Sequence, residues 1–202
     1  MAWRGKTFDE ATLIRALSRD VFEDPSGAVA KAAWALGVAH RKLHFTDVNA
    51  TPLGAVIAAP PPEERELFCR QGLKYFARIQ AAPIRSTVSE LQRQISVLEK
   101  ASRDSRISRA GKILVRELEL AARMAEQSCH FMLWQQAVAR GDALLARRMA
   151  SENLAVLAKI QREFDGFWPR RNKGSTKHCS MFLQWRMADY RRFLDGVNRH
   201  GG

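Results

Sequence analysis

The chain has 202 residues, of which 46% are hydrophobic and 27% charged. These proportions match globular averages, exclude a largely disordered chain, and supply a core without disulfides or metal staples. The formal net charge of +12 invites a polyanionic partner, although solvated helix faces account for most of such an excess.

Met1-Ala2-Trp3-Arg4-Gly5-Lys6 has no apolar segment of the secretory type, so a cytoplasmic location is expected. Thr7 and Glu10 are spaced as a capping box, and Leu13, Ile14, Leu17 and Val21 then recur at helical spacing, predicting a helix to about Phe22. Asp24-Pro25 is the next helix start, with Asp as cap and Pro at the first helical position. Val29, Ala32, Ala33 and Leu36 form its apolar stripe.

Thr51-Pro52 repeats the device for a short helix over 53–58, stopped by Pro60-Pro61-Pro62. The longest uncharged run, 48–62, is too short and too proline-broken to span a bilayer, so no membrane partner is expected. Glu63, Glu64 and Glu66 mark the start of another helix, with Leu67, Phe68, Leu73, Phe76 and Ile79 on its buried side.

Pro83 reads as a break, and Thr87 with Glu90 as a second capping box before Val88, Leu91, Ile95 and Leu98. A polar stretch, 102–108, leads into the longest helical pattern, 108–139, with Ile113, Leu114, Leu118, Ala121, Met124, Ala125, Phe131, Leu133 and Trp134 as its stripe. Gly141-Asp142 ends it and caps the next helix, which carries Leu144, Leu145, Met149, Leu154, Leu157 and Ile160 to about Phe167. A basic loop over 168–177 follows, and Ser175 or Thr176 can cap a final helix through Met181, Phe182, Trp185, Tyr190 and Leu194.

No segment alternates with a period of two, and no internal repeat stands out. The expectation is an all-α bundle of about six to eight helices with antiparallel neighbours and no sheet. It forms one domain over 1–202, with points of subdivision near 83–86 and 102–108.

Candidate chemistry is sparse. Cys69, Cys129 and Cys179 are odd in number and widely spaced, which suits reduced thiols. Cys129-His130 and His178-Cys179 bring metal-ligand types together, but adjacent helical side chains point about 100° apart, and no zinc-type spacing is present; no metal is expected. There is no nucleophile elbow, phosphate loop or dinucleotide fingerprint, so neither a cofactor nor a catalytic residue can be assigned. The adjacent acid pairs Asp9-Glu10, Glu23-Asp24 and Glu63-Glu64 all sit at predicted helix starts, where acids stabilise the terminus. The most distinctive stretch joins Phe164, Phe167 and Trp168 to Arg170, Arg171 and Asn172. Aromatics interleaved with arginines suit stacking on sugar rings or bases, or an interface hot spot; a helix-end loop with its aromatics turned inward suits the same residues equally well.

Two stretches carry a family resemblance. One runs from Phe8-Asp9-Glu10 through Ala16 to Gly27, then Leu36-Gly37 and Asn49-Ala50-Thr51. The other runs from Ile160-Gln161-Arg162-Glu163-Phe164 through Trp168-Pro169-Arg170-Arg171-Asn172-Lys173-Gly174. Together they resemble the helical region C-terminal to the barrel in some bacterial family 20 glycoside hydrolases, the β-N-acetylhexosaminidases. That family more often continues with Arg-Pro-Gly-Gly-Leu where this chain has Lys173-Gly174-Ser175-Thr176-Lys177. The family's catalytic Asp-Glu follows His-x-Gly-x, and Asp9-Glu10 has Gly5 and Thr7 at those places. A (β/α)₈ barrel also needs about 250 residues.

The resemblance therefore implies a non-catalytic accessory module that packs on a catalytic barrel in cis or in trans, or forms a homodimer. Phe167, Trp168, Arg170, Arg171 and Asn172 would then be its ligand rim or interface. Two other readings stand beside it: a basic helical nucleic-acid-binding protein, and an interaction module for an unrelated protein.

Overall fold

The computed structural model describes residues 9–45, 50–60, 76, 78–170, 172 and 174–200, with the side chains of 179 and 197–200 outside that set. Its elements are α1 (Glu10–Asp20), α2 (Ala28–Val38), a 3₁₀ helix (Ala39–Leu43), α3 (Pro52–Ala58), α4 (Ala81–Ser102), α5 (Arg109–Ala139), α6 (Ala143–Phe167), a 3₁₀ turn (Trp168–Arg170), α7 (Thr176–Cys179) and α8 (Phe182–His200). The described residues thus hold eight α-helices and no strand, the all-α bundle that the periodicity predicts.

The 31 residues of α5 make it the axis of the bundle, about 46 Å long at 1.5 Å per residue. Both of its ends are fixed by local chemistry. Ser108 accepts the Gly111 N–H at 3.0 Å as N-cap. At the other end Gly141 has φ 72°, the left-handed conformation that lets the Asp142 N–H turn back to the Ala137 carbonyl at 3.1 Å. Asp142 then caps α6 by accepting the Leu145 N–H at 3.1 Å. Residues 103–108 and 140–142 are short turns, so α4, α5 and α6 run antiparallel in succession and pack against one another. α8 packs on α6 and α3, and α2 on α4, with α1 outside it.

The core follows this order. Phe22, Val29, Leu98, Ile107 and Val115 fill the end where α1 and α2 meet the α4–α5 turn. Gly111 lies there because a Cβ would collide with the Phe22 carbonyl oxygen. Val56, Ile84, Leu91, Met132, Leu157, Ile160 and Leu183 fill the rest, beside an aromatic cluster of Phe131, Trp134, Tyr190 and Phe193. Its ring centroids lie 4.9–5.5 Å apart in tilted or edge-on pairs, the geometry that ring quadrupoles favour.

Several local expectations are corrected. Thr7 lies outside the described residues, and the N-cap of α1 is Asp9, which accepts the Ala11 N–H at 3.1 Å. α2 begins at Ala28 instead of Pro25. Thr87 caps nothing: it is buried inside α4 and donates to the Pro83 carbonyl at 2.9 Å. Pro83 sits in the first turn, where no intrahelical N–H is needed, so it starts a helix that the sequence suggests it should break. The expected final helix is two, α7 and α8, separated at Ser180. Leu144 is 84% exposed, since Leu145 beside it takes the inward direction. Ile113, also expected in the core, is 37% exposed. The stretch holding Glu63, Glu64, Glu66, Leu67, Phe68 and Leu73 lies outside the described residues, while Phe76 and Ile79 are buried.

Asp24 still caps α2 from a distance. Its Oδ2 accepts the Val29 N–H at 2.8 Å, and its Oδ1 accepts the Ser26 N–H and hydroxyl at 2.9 and 2.6 Å. Burial opposes the charge, but these donors together outweigh it and hold the carboxyl below its ordinary range. A depressed folded value stabilises above the unfolded value of about 3.9 and is lost as pH falls through the folded one. Asp24→Asn, which leaves a buried N–H unpaired, is expected to cost about 1–2 kcal/mol near neutral pH. The gap between variant and wild type in urea midpoints should narrow as pH drops below about 4; a gap independent of pH would show that the charge contributes nothing.

Candidate functional site

Of the five residues singled out around the α6 terminus, the four described ones, Phe167, Trp168, Arg170 and Asn172, do not all face one site. α6 ends because Pro169 has no N–H to continue its ladder, and the chain tightens into the 3₁₀ turn Trp168–Arg170. Trp168 is half-buried and packs edge-on against Phe164, with centroids 5.1 Å apart, and Phe164 in turn meets Phe182 at 5.6 Å. Trp168 is therefore a structural anchor. Asn172 is exposed, and both its backbone N–H and its side-chain amide donate to the Trp168 carbonyl, at 3.0 and 3.3 Å. The buried Thr176 hydroxyl donates to Asp165 and ties α7 back to α6. Arg171 lies outside the described residues.

Phe167 and Arg170 face elsewhere. They line a groove of about 470 Å³ between the C-terminal end of α6 and the N-terminal half of α5. Arg109, Lys112 and Arg116 stand along its α5 side, and Arg162 and Arg170 along its α6 side. The first three recur at i, i+3 and i+7 and so keep to one face of α5, while Arg162 lies on α6 and Arg170 on the 3₁₀ turn that follows it. Gly166 opens the middle, where an added Cβ would meet nothing within 4 Å. Ile113, Leu120 and the half-buried Phe167 supply the apolar lining.

Two carboxylates complete the wall. Glu119 is 4% exposed, and Glu163 is partly buried. Arg123 bridges them, with Nη2 2.6 Å from Glu119 and Nη1 3.5 Å from Glu163, while Nη2 also lies 3.0 Å from Glu99 on α4. The two acids are thus tied to a cation and are not set around an open reaction space. The other oxygen of Glu119, Oε2, accepts no hydrogen bond and has Arg116 at 3.9 Å. Among the described residues, Arg109, Lys112, Arg162 and Arg170 make no ion pair within 4.0 Å. The groove consequently presents four cations without an ion pair within 4.0 Å around an apolar strip.

No family model, curated protein or solved structure matches the chain. What the groove can hold follows from its own chemistry. The groove's carboxylates, Glu119 and Glu163, are tied to Arg123, so the cations around them repel one another and an anionic ligand relieves that repulsion.

The other candidates take structural places. Cys129 is buried, and that burial pushes its thiol up to about 12, which leaves it inert as a nucleophile near neutral pH. His130, beside it, meets Glu126 at 3.5 Å. Among the described residues no group of three or more His, Cys, Asp or Glu is placed to hold a metal ion, and no helix is long and apolar enough to cross a membrane.

Sequence reasoning named Phe167 and Arg170 but missed Arg109, Lys112, Arg116 and Arg162. Their signal was the spacing of each row, which reads as an ordinary solvated face until the two rows are set opposite each other.

Proposed function

We propose that this chain is a non-catalytic helical binding module whose working surface is the α5–α6 groove. The observation that carries this reading is the pair of facing cation rows, four of whose members have no ion pair among the described residues. The resemblance to the C-terminal region of β-N-acetylhexosaminidases supplies the setting: a module beside a catalytic barrel, in cis or in trans, or a homodimer. Arg170, which belongs to the Trp168-x-Arg170-Arg171-Asn172 element of the resemblance, and Phe167 just before it sit on the groove wall and support placing the function there.

Retention on a phosphate-bearing cation exchanger tests the reading. Arg109, Arg162 and Arg170 changed together to serine should elute at clearly lower salt than a control with Arg140, Arg148 and Arg191 changed to serine. Both sets are exposed and remove the same charge. Equal shifts would mean that net charge alone acts, and the groove would lose its role. Turnover of a chromogenic N-acetylglucosaminide by the purified chain, abolished by a point change within it, would overturn the non-catalytic part.

A further inference from the structure

Resting on that assignment of the binding surface, we infer that the occupant of the groove is a single-stranded nucleic acid, a few nucleotides of which lie along it. Three features of the groove point to this ligand in preference to a small anion, a duplex or an acidic glycan.

The first is the length of the cation rows. Arg109 to Arg116 spans about 10 Å along the helix axis at 1.5 Å per residue, and Arg162 to Arg170 runs alongside. One phosphate or sulfate would engage two or three of these side chains and leave the others repelling. A chain bearing an anion at each repeat engages both rows.

The second is the apolar strip between the rows. Phe167, Ile113 and Leu120 offer nothing to charge, and an aromatic wall beside arginines is the arrangement on which bases stack. Every base has a π-face, so such a site tolerates sequence while retaining affinity.

The third is the open face beside the ring: Gly166 is exposed, and an added Cβ there would meet nothing within 4 Å. An unpaired base can turn onto Phe167 from that side, whereas a duplex keeps its bases paired and stacked inside.

Fluorescence anisotropy on the full chain, with labelled single-stranded dodecamers of RNA and DNA, a blunt duplex of the same sequence and a heparin oligosaccharide, tests the inference. Single strands should bind, with log K falling against log salt at about −0.7 for each phosphate neutralised. Four cations then give a slope near −3. Phe167→Ala should weaken single-strand binding by roughly tenfold or more, the range that loss of one stacked base produces. Gly166→Leu should abolish binding without changing charge. Leucine has the higher helix propensity and a Cβ at 166 meets nothing within 4 Å, so the variant should melt at or above the wild-type midpoint, which separates loss of binding from unfolding. Gly196→Leu, at another open position, should bind as the wild type does.

Duplex binding as tight as single-strand binding, or affinity unchanged by Phe167→Ala, would overturn the inference. Heparin binding that is sensitive to Gly166→Leu, without single-strand binding, would overturn the nucleic-acid assignment and leave the binding-module reading standing. Insensitivity of every polyanion to Gly166→Leu would overturn both.

Discussion

Replacing Arg186 by alanine is expected to lower the unfolding free energy by about 3–5 kcal/mol, the range for breaking a buried charge network. Arg186 is wholly buried on α8. Its guanidinium donates to the carbonyls of Val56 and Ala59 at 3.2 and 2.8 Å, lies 3.0 Å from Asp189 and stacks 4.9 Å above the Phe131 ring centroid. One side chain therefore closes the open carbonyl end of α3, balances a carboxylate and roofs the aromatic cluster. Removing it leaves two carbonyls without donors in a buried site, each costing about 1–3 kcal/mol before relaxation, and opens a cavity over Phe131. Arg186→Met keeps volume but supplies no donors, so it should lose less than alanine and still lose heavily. A chain of this size shifts its midpoint by about 2–4 °C per kcal/mol, which places the alanine variant roughly 10 °C lower in a thermal melt. A melt within a degree or two of wild type would show that water replaces the guanidinium without penalty.

Arg186 also marks where the sequence was legible and where it was not. Helix boundaries were readable wherever a side chain closes an end: Ser108 and Gly141 bracket α5 within a residue of the expected 108–139. Thr51-Pro52 did the same for α3, where Thr51 accepts the Gly54 N–H. Boundaries failed where one pattern serves two purposes. Thr87-x-x-Glu90 fits a cap equally well as two polar positions inside a helix, and the tolerance of the first turn for Pro83 decides for the helix. In α8 the inward stripe is Leu183, Arg186, Met187 and Tyr190. Periodicity alone turns an arginine in that stripe outward. Only the three-dimensional approach of the α3 carbonyls explains it.

The groove was half legible for a related reason. Each cation row is visible in the sequence, but nothing within either row pairs it with the other. The missing information was hairpin register. With the turn centred on Gly141, an antiparallel α5–α6 pair sets Lys112 opposite Arg170, Arg116 opposite Gly166 and Leu120 opposite Arg162, which is the observed lining. Counting residues outward from Gly141 is enough to bring the two rows together. The count does not separate Trp168 from its neighbours Phe167 and Arg170; its ring contact with Phe164 does.

Register also sets Glu119 opposite Glu163, and Arg123 bridges the two carboxylates. Arg123→Met is accordingly expected to cost about 3 kcal/mol, the low end for stripping the partner from a buried charge. It falls at that end because Glu163 can turn to solvent and Arg116, 3.9 Å from Glu119, can move closer. Glu119 itself is 4% exposed and has no such route. Adding Glu119→Leu to Arg123→Met should therefore restore most of the loss, since replacing both members of a buried pair by apolar residues of similar volume is often neutral or better. In urea unfolding the double-mutant cycle should show a coupling of about 1–3 kcal/mol. Additive costs would mean that Glu119 is stabilised by something other than Arg123. The double variant also separates stability from binding: it retains Phe167 and the groove cations Arg109, Lys112, Arg116, Arg162 and Arg170 and leaves the net charge unchanged, so on the nucleic-acid reading it should bind single strands about as tightly as wild type.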